Sequence, residues 1–231
     1  MKSLQRSKLL IVFSIAIIFQ FSCEKNSENI GDFTMLENAR DSLPYVQDAD
    51  ILFKDASGKQ AVFEYRSDHF GYERRDYIIE YHWDNNPDSK YVVAATRDLY
   101  HYIIIEQTSI VGFDIDIDLG VGIAKSYPPA NSPSEVDYLV YDKLDIRFEL
   151  NQGLHSVLQI LVNQREFEKE FLYLFESIQS EVTLLDQTFY NVYSNTTQSD
   201  YRKVWYNTDF GVIGFEDTKG NIWVLDSISA I

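Results

Sequence analysis

The segment Phe113-Asp114-Ile-Asp116-Ile-Asp118-Leu-Gly120 sets three carboxylates two residues apart, and carboxylate oxygens are the ligands that calcium takes. The helix–loop–helix calcium pattern wants Gly at its sixth place and Glu at its twelfth. Counted from Asp114, those places hold Leu119 and Lys125, so the motif fails. Read as a strand, the same stretch puts the three aspartates on one solvated face, with Phe113, Ile115, Ile117 and Leu119 inward; such a row could hold calcium only weakly. Just beyond, Gly120-Val-Gly122-Ile-Ala-Lys125-Ser126 has the glycines of a phosphate loop but Ala124 where the Gly before the Lys must stand. A dinucleotide fingerprint would need Gly at Lys125. The four histidines, His69, His82, His101 and His155, include no pair at metal-ligand spacing, and His82 reads as a strand-end residue rather than a general base. No Gly-x-Ser-x-Gly elbow occurs, and carboxylates are too numerous to nominate an acid–base pair. The expectation is a protein without catalytic residues, metal ligands or cofactor. Tyr81, Trp83, Trp205, Tyr206 and Trp223 offer either a stacking platform for sugars or, as strand aromatics more often do, a core.

The other distinctive residue is Cys23, the sole cysteine. Lys2, Arg6 and Lys8 precede it, then the apolar run Leu9 to Phe21, then Ser22: a basic start, an apolar stretch and a small residue before the cut. The run is too short to span a bilayer core, which takes about 20 apolar residues. Ser14 to Cys23 resembles a lipobox, cut before a cysteine that already carries diacylglycerol. Ser22 fits that pattern; Gln20 and Phe21 depart from it. The resemblance implies a leader over residues 1–22 and lipid attachment at Cys23, with palmitate among the acyl chains. Two or three chains hold a protein to a membrane effectively for good. Cys23 is then neither nucleophile nor metal ligand, and the mature chain has no internal disulfide.

Loss of Lys2, Arg6 and Lys8 with the leader takes the formal charge from −16 to −19. Both nucleic acid and anionic headgroups call for a basic patch, so neither is expected as a partner. After Cys23 the chain is polar to about Asp41, read as a tether over residues 23–42 with room for a short helix near Phe33–Arg40. From residue 43 to 231 the pattern is strand and turn, in one β-rich domain. Aromatics make up 15% of the chain, which suits strands. Ile51-Leu-Phe-Lys-Asp55-Ala-Ser-Gly58-Lys-Gln-Ala-Val-Phe63 predicts a hairpin whose turn starts on Asp and ends near Gly. Ile213-Gly-Phe215-Glu-Asp217-Thr-Lys-Gly220-Asn-Ile-Trp-Val-Leu225 repeats that template. Leu144, Ile146, Phe148 and Leu150 alternate with Asp145, Arg147 and Glu149, as in antiparallel sheet with one wet face. Tyr77–Trp83 alternates likewise. Further strands are expected at 91–96, 100–107, 111–119, 157–162, 182–185, 189–193 and 204–206. Pro128, Pro129 and Pro133 mark a loop. Phe167, Phe171, Leu174, Phe175 and Ile178 follow helical spacing, although Phe171, Tyr173 and Phe175 would share a strand face; the helix is slightly favoured.

Leu43-Pro44-Tyr45, Val182 to Tyr193, and Lys203-Val-Trp-Tyr-Asn207 with Gly211 to Leu225 together resemble the small uncharacterised lipoproteins of the Bacteroidota type, best at the two ends of the chain. The resemblance carries no activity and no functional residues. Asp41-Ser-Leu43 and Asp226-Ser-Ile228 resemble the O-glycosylation sites of that group. The resulting expectation is a predominantly β domain, with α+β as the alternative class, built on a single antiparallel sheet as a sandwich or a curved half-barrel with at most one or two short helices. It would be held by lipid in the cell envelope, most naturally at the outer membrane on its periplasmic or surface face. There it would serve as a non-catalytic binding or interaction module with a protein or glycan partner. Two alternatives stand beside it: a carrier of a lipid or hydrophobic ligand in a curved-sheet cavity, and an envelope hydrolase.

Overall fold

Alternation along the chain decides the strands. In the computed structural model, which describes residues 26–45, 48–82, 90–125, 138–150, 153–164, 178–195 and 203–230, these strands are β1 (Asn26–Phe33), β2 (Ala49–Asp55), β3 (Gln60–His82), β4 (Lys90–Glu106), β5 (Asp114–Lys125), β6 (Tyr138–Leu150), β7 (Gly153–Gln164), β8 (Ile178–Leu184), β9 (Gln187–Ser194), β10 (Val204–Asn207), β11 (Gly211–Glu216) and β12 (Ile222–Ala230). Glu37–Ser42 is a single turn-rich 3₁₀ helix. Residues 26–32, 76–82 and 90–96 belong to a smaller compact unit; the remaining described residues form the larger one, to which the core and the site described below belong. The expected leader and Cys23, the proline loop after Ser126, Trp83 and the ambiguous segment from Phe167 up to residue 177 lie outside the described residues. Ile178, at the end of that segment, opens β8.

The strands form one antiparallel sheet in the order β7-β6-β5-β4-β3-β2-β12-β11-β10-β9-β8, with β1 pairing β4. The expected half-barrel is the architecture found, and the sandwich is not. Ile115, Ile117 and Leu119 on β5 are wholly buried and stand opposite Phe148, Ile146 and Leu144 of β6, so one face of the sheet is the core. Curling follows from ring distances. Six strand-to-strand steps separate β6 from β11, roughly 29 Å in a flat sheet at about 4.8 Å per step. Yet the rings of Phe148 and Phe215 lie 6.3 Å apart, and Phe113 lies 5.4 Å from Phe215. The sheet has rolled until these side chains meet across its hollow, where Phe53, Phe63 and Trp223 join them.

Three expectations change. The separate strands at 91–96 and 100–107 are one strand, β4. Its mid-strand charges do not break it because neighbours satisfy them: Arg97 donates to the Val121 carbonyl at 2.9 Å, and Asp98 accepts from the Met35 amide at 3.1 Å. The strand expected from Val111 begins at Asp114 instead, because the Glu106 carboxylate gathers the amides of Ile110, Val111 and Gly112 into a turn. Finally, the stretch read as tether carries β1, while the short helix expected near Phe33–Arg40 is the 3₁₀ helix at Glu37–Ser42. The amides of Met35 and Leu36, ahead of that helix, bond the inward-facing carboxylates of Asp98 and Asp142. A polar segment docks there because the sheet supplies its acceptors.

Candidate functional site

Residues 34–45 lie against the sheet as a strap tied at both ends. At one end Asp98 and Asp142, both buried, take the Met35 and Leu36 amides, each at 3.1 Å. At the other, the Tyr206 hydroxyl donates to the Ser42 carbonyl and the Tyr45 hydroxyl accepts from the Val212 amide at 2.8 Å. Burial pushes the hydroxyls of Tyr45 and Tyr206 well above their ordinary pKa, so both remain neutral hydrogen-bonding groups at physiological pH.

Between strap and sheet lies an open cavity of about 830 Å³, inside the range of roughly 300–1,000 Å³ typical of small-molecule sites. The strap contributes Met35, Leu36, Glu37, Arg40 and Asp41; the sheet contributes Tyr65, Phe70, Tyr100 and Tyr102. The aromatic rings run on without a gap. Tyr45 lies 5.7 Å from Tyr65, Tyr65 6.2 Å from Tyr102, Tyr102 4.9 Å from Phe70, and Phe70 5.7 Å from Tyr100, near-parallel at 19°. Tyr72 continues the row, 4.8 Å from Tyr100. Tyr45, Tyr65 and Tyr102 are buried, whereas Phe70 and Tyr100 are only half-buried, so the latter two supply the accessible ring surface. The Arg40 guanidinium lies over Tyr100, 5.0 Å from its centroid. Burial pushes the Tyr102 hydroxyl up to about 12, against the opposing pull of Arg40 beside it. The cavity thus joins ring faces to charged hydrogen-bonding groups of both signs.

A second cluster lies on the outer face of β4, β5 and β6. His101 meets Asp118 at 2.7 Å and Asp116 at 3.4 Å, and Arg147 meets Asp116 at 2.5 Å and Asp118 at 2.8 Å. His101, Asp116 and Asp118 come close enough to ligate one ion, but each of the four carboxylate oxygens already faces the guanidinium or the imidazole. The guanidinium and the imidazole together close off both carboxylates. The expectation of three solvated aspartates is corrected accordingly: Asp116 is buried, and Asp114 is spent on the Glu106 amide. The side chains face away from the core, but the Arg147 and His101 side chains cover the middle one. Burial pushes the Asp116 carboxyl up, although Arg147 and His101 pull it back.

Gly120 and Gly122 lie within β5; a Cβ on Gly122 would run into the Tyr141 ring, which accounts for a glycine there without any phosphate. Trp205, Tyr206 and Trp223 are buried in the core and form no platform; the side chains of Tyr81, His69, His82 and His155 lie outside those described. The cavity residues Phe70, Tyr100 and Arg40 were not singled out by sequence. One signal was present: Asp98 and Asp142 fall in the inward phase of strands otherwise apolar there, Tyr100–Ile104 and Leu144–Phe148, and a carboxylate in that phase marks a clamp.

No known protein family matches the chain, and no curated protein or solved structure does so either.

Proposed function

We propose that this chain is a lipid-anchored protein of the cell envelope, held through Cys23, whose half-barrel is a non-catalytic module binding carbohydrate at the strap-covered cavity. The observation that carries the reading is the juxtaposition of the half-buried faces of Phe70 and Tyr100 with Arg40, Glu37, Asp41 and Ser67 around one cavity. A sugar ring presents apolar C–H faces, which stack on aromatic rings, and hydroxyls around its rim, which need donors and acceptors together. A purely apolar cargo would leave the charged wall unpaired and desolvated. The phenylalanines and Trp223 filling the hollow also compete with an acyl chain for its space. The lipid-carrier alternative is therefore less favoured.

The test is a glycan panel presented to the full-length protein in detergent micelles, repeated with Tyr100→Ala. Binding of at least one glycan is expected. The variant should weaken it on the order of tenfold, the worth of about 1.4 kcal/mol of lost ring contact. Binding that Tyr100→Ala leaves intact, or no glycan bound while a lipid co-purifies, would overturn the reading in favour of a different surface or of the carrier.

A further inference from the structure

We propose that the sugar this cavity selects carries a carboxylate and that Arg40 is the residue that reads it; the inference rests on the carbohydrate reading above. The chain holds 36 acidic residues against 20 basic ones, and most of its described arginines pair with carboxylates. Arg66 faces Asp50 and Glu64, Arg74 faces Asp98, Arg75 faces Glu73, and Arg147 faces Asp116 and Asp118. Arg40 differs. Among the described residues no carboxylate lies within ion-pair distance of its guanidinium, although Glu37 precedes it by three places and Asp41 follows it directly. What holds it is aromatic: the Tyr100 face beneath it and the Tyr102 hydroxyl beside it.

A guanidinium held over a ring still turns its N–H fork outward, and that planar fork matches a carboxylate in two parallel hydrogen bonds. Hydroxyls of a neutral sugar do not require such a cation. The ligand's carboxylate would take the place of the partner that Arg40 lacks, while its ring lies against Phe70 and Tyr100. The chain's strong negative charge sets a limit, since it repels polyanions wherever screening does not remove it, over roughly 8 Å at physiological salt. A short glycan with its acid group at Arg40 satisfies both conditions.

The experiment is calorimetric titration of the full-length protein in detergent micelles with trigalacturonate and with its methyl ester, which keeps the rings and removes the charge. The acid should bind at least about tenfold tighter, the worth of hydrogen bonds to a charged group. Arg40→Gln should abolish that preference, so that acid and ester bind alike. Arg40→Lys should restore only part of it, because an ammonium lacks the fork. Arg40 is exposed, so the variants should melt as the parent does. Equal binding of acid and ester, or a preference surviving Arg40→Gln, overturns the role of Arg40 and leaves the carbohydrate reading standing. Failure of both trisaccharides while a neutral glycan binds in the panel overturns this inference alone; failure of the whole panel overturns both.

Discussion

Tyr45 and Gly211 should be energetically coupled, because each protects the same buried hydrogen bond. The Tyr45 hydroxyl accepts from the Val212 amide at 2.8 Å, and both side chain and amide are buried. Gly211 sits at φ +79° directly under that ring, where an added Cβ would overlap the hydroxyl. Tyr45→Phe leaves the Val212 N–H without its acceptor, a cost of about 1–3 kcal/mol. Gly211→Ala carries about 1–2 kcal/mol of left-handed strain, and by displacing the ring it also forfeits the same hydrogen bond. The double variant loses that bond only once, so its cost should fall short of the sum by about 1–3 kcal/mol. At roughly 2–4 °C per kcal/mol for a chain of this size, each single variant should melt several degrees below the parent. The double should melt several degrees above the additive value. Thermal unfolding followed by circular dichroism, with urea titration at 25 °C as a check, measures both. Singles that add within about 0.5 kcal/mol, or a Tyr45→Phe that melts with the parent, would refute the strap's attachment at this point.

Two further outcomes are expected. His101 titrates above its ordinary 6.5, chiefly through its hydrogen bond with Asp118, with burial opposing and the charges of Asp116 and Asp118 adding. A raised folded-state value means that its stabilisation is complete below pH 6.5 and is lost as pH climbs through the folded value. The groups facing it are Asp116, Asp118 and Arg147. His101→Gln should therefore flatten the alkaline fall of the stability–pH curve; an unchanged slope would sink this account. Cys23→Ser should release the protein from the membrane fraction of its host to the soluble one, and a variant still wholly membrane-bound would remove the lipid anchor.

The turns show how far local sequence reaches. The sequence places Asp55 and Asp217 at the starts of two hairpin turns with Gly58 and Gly220 near their ends, and the turns are alike in detail. Asp55 accepts from the amides of Ser57 and Lys59, and Asp217 from those of Lys219 and Asn221, all at 2.8–2.9 Å. Gly58 and Gly220 take φ values of +82° and +83°. Every one of those bonds closes within four residues, so the sequence holds all the information. One further bond of Asp217 also stays local: it accepts from the Trp223 indole at 3.0 Å, and the same carboxylate therefore fixes a core side chain. Burial raises the Asp217 carboxyl, but these bonds outweigh it and hold it below the usual range.

Alternation on its own showed that β5 and β6 are strands and which of their side chains face inward, because a period of two residues is a property of consecutive positions. It could not say that Phe148 would meet Phe215, or that Tyr45 would lie under Gly211, since those pairs are distant in sequence and meet only through the roll of the sheet. The same limit hid the cavity. Phe70, Tyr100 and Arg40 are unremarkable in their own segments, and the ionic set of His101, Asp116, Asp118 and Arg147 draws on three strands. Local periodicity and turn chemistry thus determined the elements. Packing across the hollow, which depends on how far the sheet curls and where the strap docks, decided the site.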